Sequence, residues 1–280
     1  MIIYPNAKIN LGLNIQEKRQ DGFHNIESIF LPINLSDIIE IIQFPDGFKK
    51  MPAPILSGLA LDIEPSETSI YKAWRLLHEE LKIPPVQFAL HKQIPLGSGL
   101  GGGSSDSSFV ILALNELFNL KLCKAELLDY MGRMGSDCSF FYYNQPVFVS
   151  GVGDRIKPIE LDLSGLFIYL VVPDIHISTQ EAYAMVEPKS AFFPLENLNT
   201  IRIEQWKKHL FNDFEEPLFE KFPDLRYVKE ELYRSGAIYS SVTGSGAGVY
   251  GLFRELPERN LNFKPYFNWA GKLEKQSSTF

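Results

Sequence analysis

An α+β fold is what the sequence predicts, on three observations. Residues 1–16 and 38–44 alternate polar and apolar side chains around β-favouring Ile and Leu. Residues 66–83 repeat their apolar side chains at helical spacing, and strand and helix signals mix again after residue 146, with no internal repeat. At 280 residues, 45% hydrophobic and 22% charged, the chain can build one large domain or two smaller ones.

The elements follow in order. MIIYPNAKINLGLNIQ and IIEIIQF read as strands, and between them Asp21-Gly22 marks a turn from which a further strand can start. In SETSIYKAWRLLHEELKI, residues Ile70, Ala73, Trp74, Leu77 and Leu81 fall on one helical face, with Ser66 as candidate N-cap. VQFALHKQI (86–94) alternates as a strand that Pro95 ends; a glycine-rich loop follows, and a helix is expected to start near Ser104. KAELLDYMGRMG makes a second helix ending at Gly135. PVFVSGVGDRIKPI (146–159) and LFIYLVVPDI (166–175) read as strands, and STQEAYAMV as a short helix capped by Ser178 or Thr179. Residues 188–200 read as an irregular connection, 203–221 and 224–235 as helices, and IYSSVTGSGAGVYGLF as strand, glycine loop and strand.

Charge and composition exclude several function classes. The formal net charge is -7 with Lys and Arg scattered, so no basic face for a nucleic acid is expected. No apolar run approaches the roughly 20 residues of a membrane span, so no membrane partner is expected either. Cys123 and Cys138 lack the CxxC spacing of a metal or redox pair, and the chain opens without a charged-then-apolar signal segment. The expectation is a reduced, cytoplasmic protein, monomer or homodimer.

PLGSGLGGGSSDSS (95–108) is the segment that carries chemistry, since glycine in bulk ahead of a helix implies close backbone approach to a ligand. Gly97, Gly99 and Gly102 satisfy GxGxxG, but the acidic residue a dinucleotide fold needs about 20 positions on is missing; a Walker A loop is excluded because no Gly-Lys-Ser/Thr follows. A flexible linker would not sit between a regular strand and a regular helix. What remains is an anion cradle, in which loop N–H groups and a helix N-terminus face a phosphate. Ser98, Ser104 and Ser105 add hydroxyls for phosphate oxygens or Mg²⁺, and Lys92 and Lys8 are candidates for local positive charge. Asp106, in the first turn after the loop, suits a helix-dipole or capping role.

These residues carry a family resemblance. PLGSGLGGGSSDSS resembles the second motif of the GHMP kinases (galactokinase, homoserine kinase, mevalonate kinase, phosphomevalonate kinase), TGSGAGVYGLF (243–253) the third, and NAKINLGLN (6–14) the first. KINLGLNIQEKRQDGFHNIESIF, GLGGGSSD, GSDCSFF and NDFEEPLFEKFPDL are similar to the branch that phosphorylates the 2-hydroxyl of a cytidine-diphosphate methylerythritol in the non-mevalonate isoprenoid route. The resemblance implies ATP and Mg²⁺ as cofactors, a small-molecule substrate, and a two-lobed GHMP kinase fold. Its ribosomal-S5-like N-terminal lobe would span 1–155, holding ATP, and its ferredoxin-like C-terminal lobe 156–280.

It also implies roles. Asp137 in GSDCSFF would be the base and Lys8 its catalytic partner. Lys92, Pro95, Gly97, Ser98, Gly99, Leu100, Gly101, Gly102, Gly103, Ser104 and Ser105 would bind ATP. Phe23 and His24 would stack on and hydrogen-bond the cytosine, Tyr183 would supply its opposite face, and Asn10 and Val152 would touch the substrate. The chain departs from the common pattern in reading Cys138-Ser139 for Val-Pro, Thr68-Ser69 for Asn-Leu and Phe23 for Tyr. His91 and His176 are left structural. Competing readings are another small-alcohol kinase of the family and a nucleotide-binding sensor without catalysis.

Overall fold

The computed structural model describes residues 1–45, 50–257 and 263–275. In chain order the strands are β1 (Ile2–Ile3), β2 (Asn6–Lys18), β3 (His24–Ser36), β4 (Ile38–Gln43), β5 (Ile55–Gly58), β6 (Val86–Lys92), β7 (Val147–Ser150), β8 (Arg155–Pro158), β9 (Phe167–Val172), β10 (Tyr239–Val242), β11 (Val249–Phe253) and β12 (Phe267–Lys272). The helices are α1 (Ser69–Leu81), α2 (Gly102–Leu117), α3 (Lys124–Met134), α4 (Phe140–Tyr143), α5 (Thr179–Ala184), α6 (Trp206–His209), α7 (Glu215–Lys221) and α8 (Pro223–Arg234). They form two compact units built from interleaved stretches: Met1–Ala7, Leu35–Leu96 and Gly101–Tyr143 in the first, and Lys8–Asn34, Gly97–Leu100 and the chain from Asn144 in the second.

The first unit holds a sheet ordered β1-β4-β6-β5, antiparallel except for the parallel β5–β6 pair. Period-two alternation turns Ile39 and Ile41 of β4 and Val86, Phe88 and Leu90 of β6 into a core shared with α1, α2 and α3. Helix α1 buries Ile70, Ala73, Trp74 and Leu77 of the expected face, and each large side chain contributes about 1.5–3 kcal/mol by leaving water, whereas Leu81, expected on the same face, is the last helical residue and is exposed. Its cap is Thr68, whose Oγ1 accepts from Tyr71 N, and not Ser66, which lies in a preceding 3-10 turn at Pro65–Glu67. Helix α2 is buried along its first thirteen residues apart from Gly103 and Ser104, so polar Ser105, Asp106, Ser107 and Ser108 lie inside.

The second unit holds two sheets, β2-β3-β7-β8 and β10-β11-β9-β12, the latter antiparallel throughout. A core joins Tyr169 and Val171 of β9, Val249 and Phe253 of β11 and the apolar stripe Leu225, Val228 and Leu232 of α8.

Several expected boundaries move. Helix α2 starts at Gly102, two residues before Ser104. The expected strand at 146–159 is a hairpin, β7 and β8, because Gly151 at φ +69 and Gly153 at φ +98 turn the chain between them. The expected helix over 203–221 breaks into a 3-10 turn, α6 and α7, since residues 210–214 leave the helix to meet β2. Residues 188–200, expected to be irregular, contain a 3-10 segment at Leu195–Thr200. Strands β5 and β12 were not expected. Among the described residues, no helix is long and apolar enough to cross a membrane.

Candidate active site

The glycine loop runs from the end of β6 into α2. Gly97, Gly99 and Gly101 take φ of +61, +74 and +72, a backbone that side-chain-bearing residues rarely adopt. Gly101 is the N-cap of α2 and offers no side chain, and the first N–H to bond inside the helix is Ser105 N, to Gly101 O at 2.8 Å. The N–H groups of Gly102, Gly103 and Ser104 therefore stand at the positive end of a sixteen-residue helix. A Cβ on Gly102 would come within 2.9 Å of Ile94, whereas one on Gly103 would meet only Ser69 Oγ, at 4.0 Å. Ser104 is half-buried; Ser105 is fully buried and its Oγ donates to Asn6 O at 2.7 Å. Pro95 is partly buried ahead of the loop.

Within the second unit, Gly97–Leu100 is laced to its neighbours. Ala247 N donates to Gly97 O, Gly248 N to Ser98 O and Lys8 N to Leu100 O, at 3.1, 3.0 and 2.9 Å. The first glycine loop thus leans on the second, residues 243–248, and the approach is close: a Cβ on Gly99 would lie 2.0 Å from Thr243 O, and one on Gly248 2.5 Å from Ser98 O. Exposed His176 has Nδ1 3.5 Å from where a Cβ on Gly97 would stand.

Lys8 and Asn10 point the same way from β2, as alternate strand residues must. Both are buried. Lys8 Nζ donates to Asn10 Oδ1 at 2.7 Å and lies 4.4 Å from the centre of the Phe30 ring. Asn10 Nδ2 donates to Ser28 Oγ (2.9 Å), which donates on to Gly12 O (2.6 Å), and Tyr250 Oη donates to Asn10 O (2.7 Å).

Lys92 is placed differently from expectation. It is 2% exposed, and its ammonium lies between the carboxylates of Asp37 and Asp106, themselves 0% and 2% exposed, with Asp106 Oδ2 at 2.8 Å. Asp37 Oδ1 also accepts from Gln93 N and Ile94 N. Asp106 is therefore a buried partner of Lys92 and caps nothing. Burial pushes its carboxyl up to about 7 against the pull of Lys92, with Asp37 pushing the same way. Burial draws the Lys92 ammonium down, but the two carboxylates outweigh it and its pKa rises. Asp106 Oδ1 has no hydrogen-bond partner in its buried surroundings.

Asp137 sits in the turn between α3 and α4, partly buried. The turn is fixed by Cys138 N to Gly135 O and Phe140 N to Asp137 O, both at 3.2 Å, and seated on α2 through Ser108 Oγ, 2.9 Å from Cys138 O. Cys138 fills the seat as a small buried group; burial raises its thiol pKa. Lys8 falls in the second unit and Asp137 in the first.

Of the expected base-recognition residues, Phe23 is 64% exposed at the β2–β3 turn, its N–H held by Asp21 Oδ1 at 3.1 Å. His24 stacks on Tyr183, ring centres 4.8 Å apart and 17° from parallel, and Tyr183 meets Phe214 edge-on. Burial, then Lys18, lowers the His24 pKa, so its imidazole is neutral at pH 7. Val152 N is held by Asp154 Oδ1 in the β7–β8 turn, whose Gly151 O accepts from Ile26 N of β3. Sequence reading singled out none of Thr243, Ser28, Tyr250, Asp37 and Asn212; Asn212 opens the NDFEEPLFEKFPDL segment, Thr243 and Tyr250 lie in TGSGAGVYGLF and Ser28 in the segment after the first motif, whereas Asp37 had no motif around it.

Comparison with known proteins gives the family of the chain. The model of the GHMP kinases N terminal domain matches residues 68–149 and that of the GHMP kinases C terminal matches 195–261. The chain is 44% identical over 277 residues to a 4-diphosphocytidyl-2-C-methyl-D-erythritol kinase of Bacteroides fragilis, covering 98% of this chain and 100% of that one. It is 46% identical to the one of Azobacteroides pseudotrichonymphae, covering 94% and 98%. A crystal structure of a 4-(cytidine 5'-diphospho)-2C-methyl-D-erythritol kinase superposes with a TM-score of 0.74 at 28% identity, covering 90% of each chain. The chain belongs to the GHMP kinases and, among them, to the 4-diphosphocytidyl-2-C-methyl-D-erythritol kinase family.

Proposed function

We propose that this chain is the kinase its family name describes, phosphorylating the 2-hydroxyl of 4-diphosphocytidyl-2-C-methyl-D-erythritol at the expense of ATP, in the non-mevalonate route to isoprenoid precursors. The observation that carries it is the glycine loop opening α2, in a chain aligned end to end with kinases of that name. ATP supplies the phosphoryl group. Residues 97–105 suit its phosphates because glycines at positive φ keep the loop backbone clear of side chains just ahead of a helix N-terminus. Lys92 contributes by holding the end of β6 to helix α2 and to Asp37, as its ammonium is already engaged by two buried carboxylates.

Phosphoryl transfer needs a deprotonated acceptor and compensation of charge on the reacting oxygens. Asp137 takes the role of base and Lys8 that of stabilising cation, oriented by Asn10. Among the described residues no group of three His, Cys, Asp or Glu could hold a metal, so Mg²⁺ would be held chiefly by the phosphates. Ser104 is then the better hydroxyl ligand, Ser105 being buried and bonded to Asn6 O. Phe23 offers an open ring face for the cytosine, His24 a neutral imidazole for its edge, and Tyr183 backs the imidazole. Val152 contacts the cytidine from its turn. The family matches at 68–149 and 195–261 fall on either side of the expected lobe boundary at residue 155, but the two compact units are not contiguous lobes: the second takes in Lys8–Asn34 and Gly97–Leu100 and resumes at Asn144. Two free cysteines support the reduced, cytoplasmic reading.

Coupled measurement of ADP release tests the assignment. Turnover with the cytidine-diphosphate acceptor and none with mevalonate or homoserine is expected; the reverse preference would overturn it, and nucleotide binding without turnover would favour a sensor.

A further inference from the structure

We infer that Asn212 is a positioning residue that acts through Thr243 to hold Lys8 and the phosphate loop in register, an inference that rests on the kinase reading above. Asn212 is 3% exposed, and its amide is fully engaged within the chain. Nδ2 donates to Val242 O at 2.9 Å and to Gly244 O at 2.8 Å, while Oδ1 accepts from Phe214 N at 3.0 Å. The two carbonyls flank Thr243, so one amide group clamps the backbone on both sides of that residue.

Thr243 is itself buried and touches both parts of the proposed machinery. Its Oγ1 accepts from Asn10 N at 3.1 Å and lies 3.2 Å from both Gly99 O and Asn10 Oδ1, to one of which its single proton goes. Gly99 belongs to the phosphate loop, and Asn10 Oδ1 is the acceptor for Lys8 Nζ. On its other side Asn212 is tied to the strand that carries Lys8: Leu13 N donates to Phe211 O and Asp213 N to Leu13 O, each at 2.9 Å. The residue thus spans from β2 to the 243–248 loop. An aspartate of the same shape would present an oxygen to two carbonyls, losing both donations and leaving buried acceptors unpaired. A shift of about 1 Å in a group that positions reacting atoms costs on the order of 10²-fold in rate.

The test uses the full chain with Asn212→Asp, Thr243→Val, Thr243→Ser, the double variant N212D/T243V, and Val228→Ala as a core-destabilised control outside the site. Turnover is measured together with calorimetric affinity for a non-hydrolysable ATP analogue and hydrogen exchange of residues 243–248. Asn212→Asp is expected to lower kcat about 10²-fold, weaken analogue binding and speed exchange in the loop while α8 keeps its protection. Thr243→Val should reproduce the loss, Thr243→Ser should recover most of it, and the double variant should fall no further than either single one. Wild-type kcat, affinity and exchange in a folded Asn212→Asp would overturn the inference. So would losses matching Val228→Ala at equal loss of Tm, or additive effects in the double variant. Should Asn212→Asp not fold, the Thr243 pair decides: equal kcat in Val and Ser overturns it. A wild-type chain with no turnover would sink the kinase reading instead, and loop exchange would still report on the clamp.

Discussion

Lys92 shows how a residue's role turns on what buries it. A lysine just ahead of a phosphate loop reads from sequence as a phosphate ligand, yet Asp37 and Asp106, 55 and 14 positions away in the chain, enclose it. Neither pairing has a local sequence signature, so the cluster was illegible before folding. Lys8, Asn10 and the loop glycines were legible because strand alternation and glycine patterning are local properties. The Asp106 carboxyl keeps its proton to about pH 7 in the folded chain but only to its ordinary 3.8 when unfolded. The folded state therefore binds more protons between those values, and this residue's contribution to stability falls as pH rises through the window. Asp106→Asn, which cannot ionise, should gain on wild type in urea-unfolding free energy from about pH 4 to about pH 7; a constant difference would contradict the assignment. At the proposed reacting centre, Asp137→Asn and Lys8→Met should each lower kcat on the order of 10²-fold or more while circular dichroism stays unchanged.

Among the elements, helix faces and strand alternation could be read directly: the buried face of α1 is the one its spacing marks, except at its last residue, Leu81, which is exposed. Ends and interruptions could not. The α1 cap moved to Thr68 because a proline-led 3-10 turn takes Ser66, and the 203–221 helix broke because its residues 210–214 bond to β2, a contact far away in sequence. The glycine loop separates two reasons for glycine. At Gly99 the chain itself demands it, through φ +74 and the carbonyl of Thr243, so Gly99→Ala should cost more than about 1 kcal/mol of stability in thermal unfolding. At Gly103 the chain leaves room for a methyl group, and alanine there should match or exceed wild-type stability, as helix propensity favours it by about 0.5–1 kcal/mol. If that room serves a phosphate, Gly103→Ala should nonetheless raise KM for ATP about tenfold, the loss of roughly one charge-assisted hydrogen bond. Unchanged KM would remove Gly103 from the cradle.

For the molecule as a whole, the interleaving of the two units was hidden from a reading along the chain, which expects contiguous domains; the family resemblance foresaw two parts, but as contiguous lobes meeting at residue 155. The central claim is transfer of phosphate to one hydroxyl of a polyol, and the acceptor's own chemistry makes it decidable. The 2-hydroxyl sits on a carbon that also bears a methyl group and no hydrogen, so an ester there has no vicinal proton to split its phosphorus signal, unlike an ester at any neighbouring position. Phosphorus NMR of the product from ATP and the purified chain is therefore the most direct measurement. The account predicts a new monoester resonance without vicinal proton splitting; a split resonance, or no new ester at all, would contradict it.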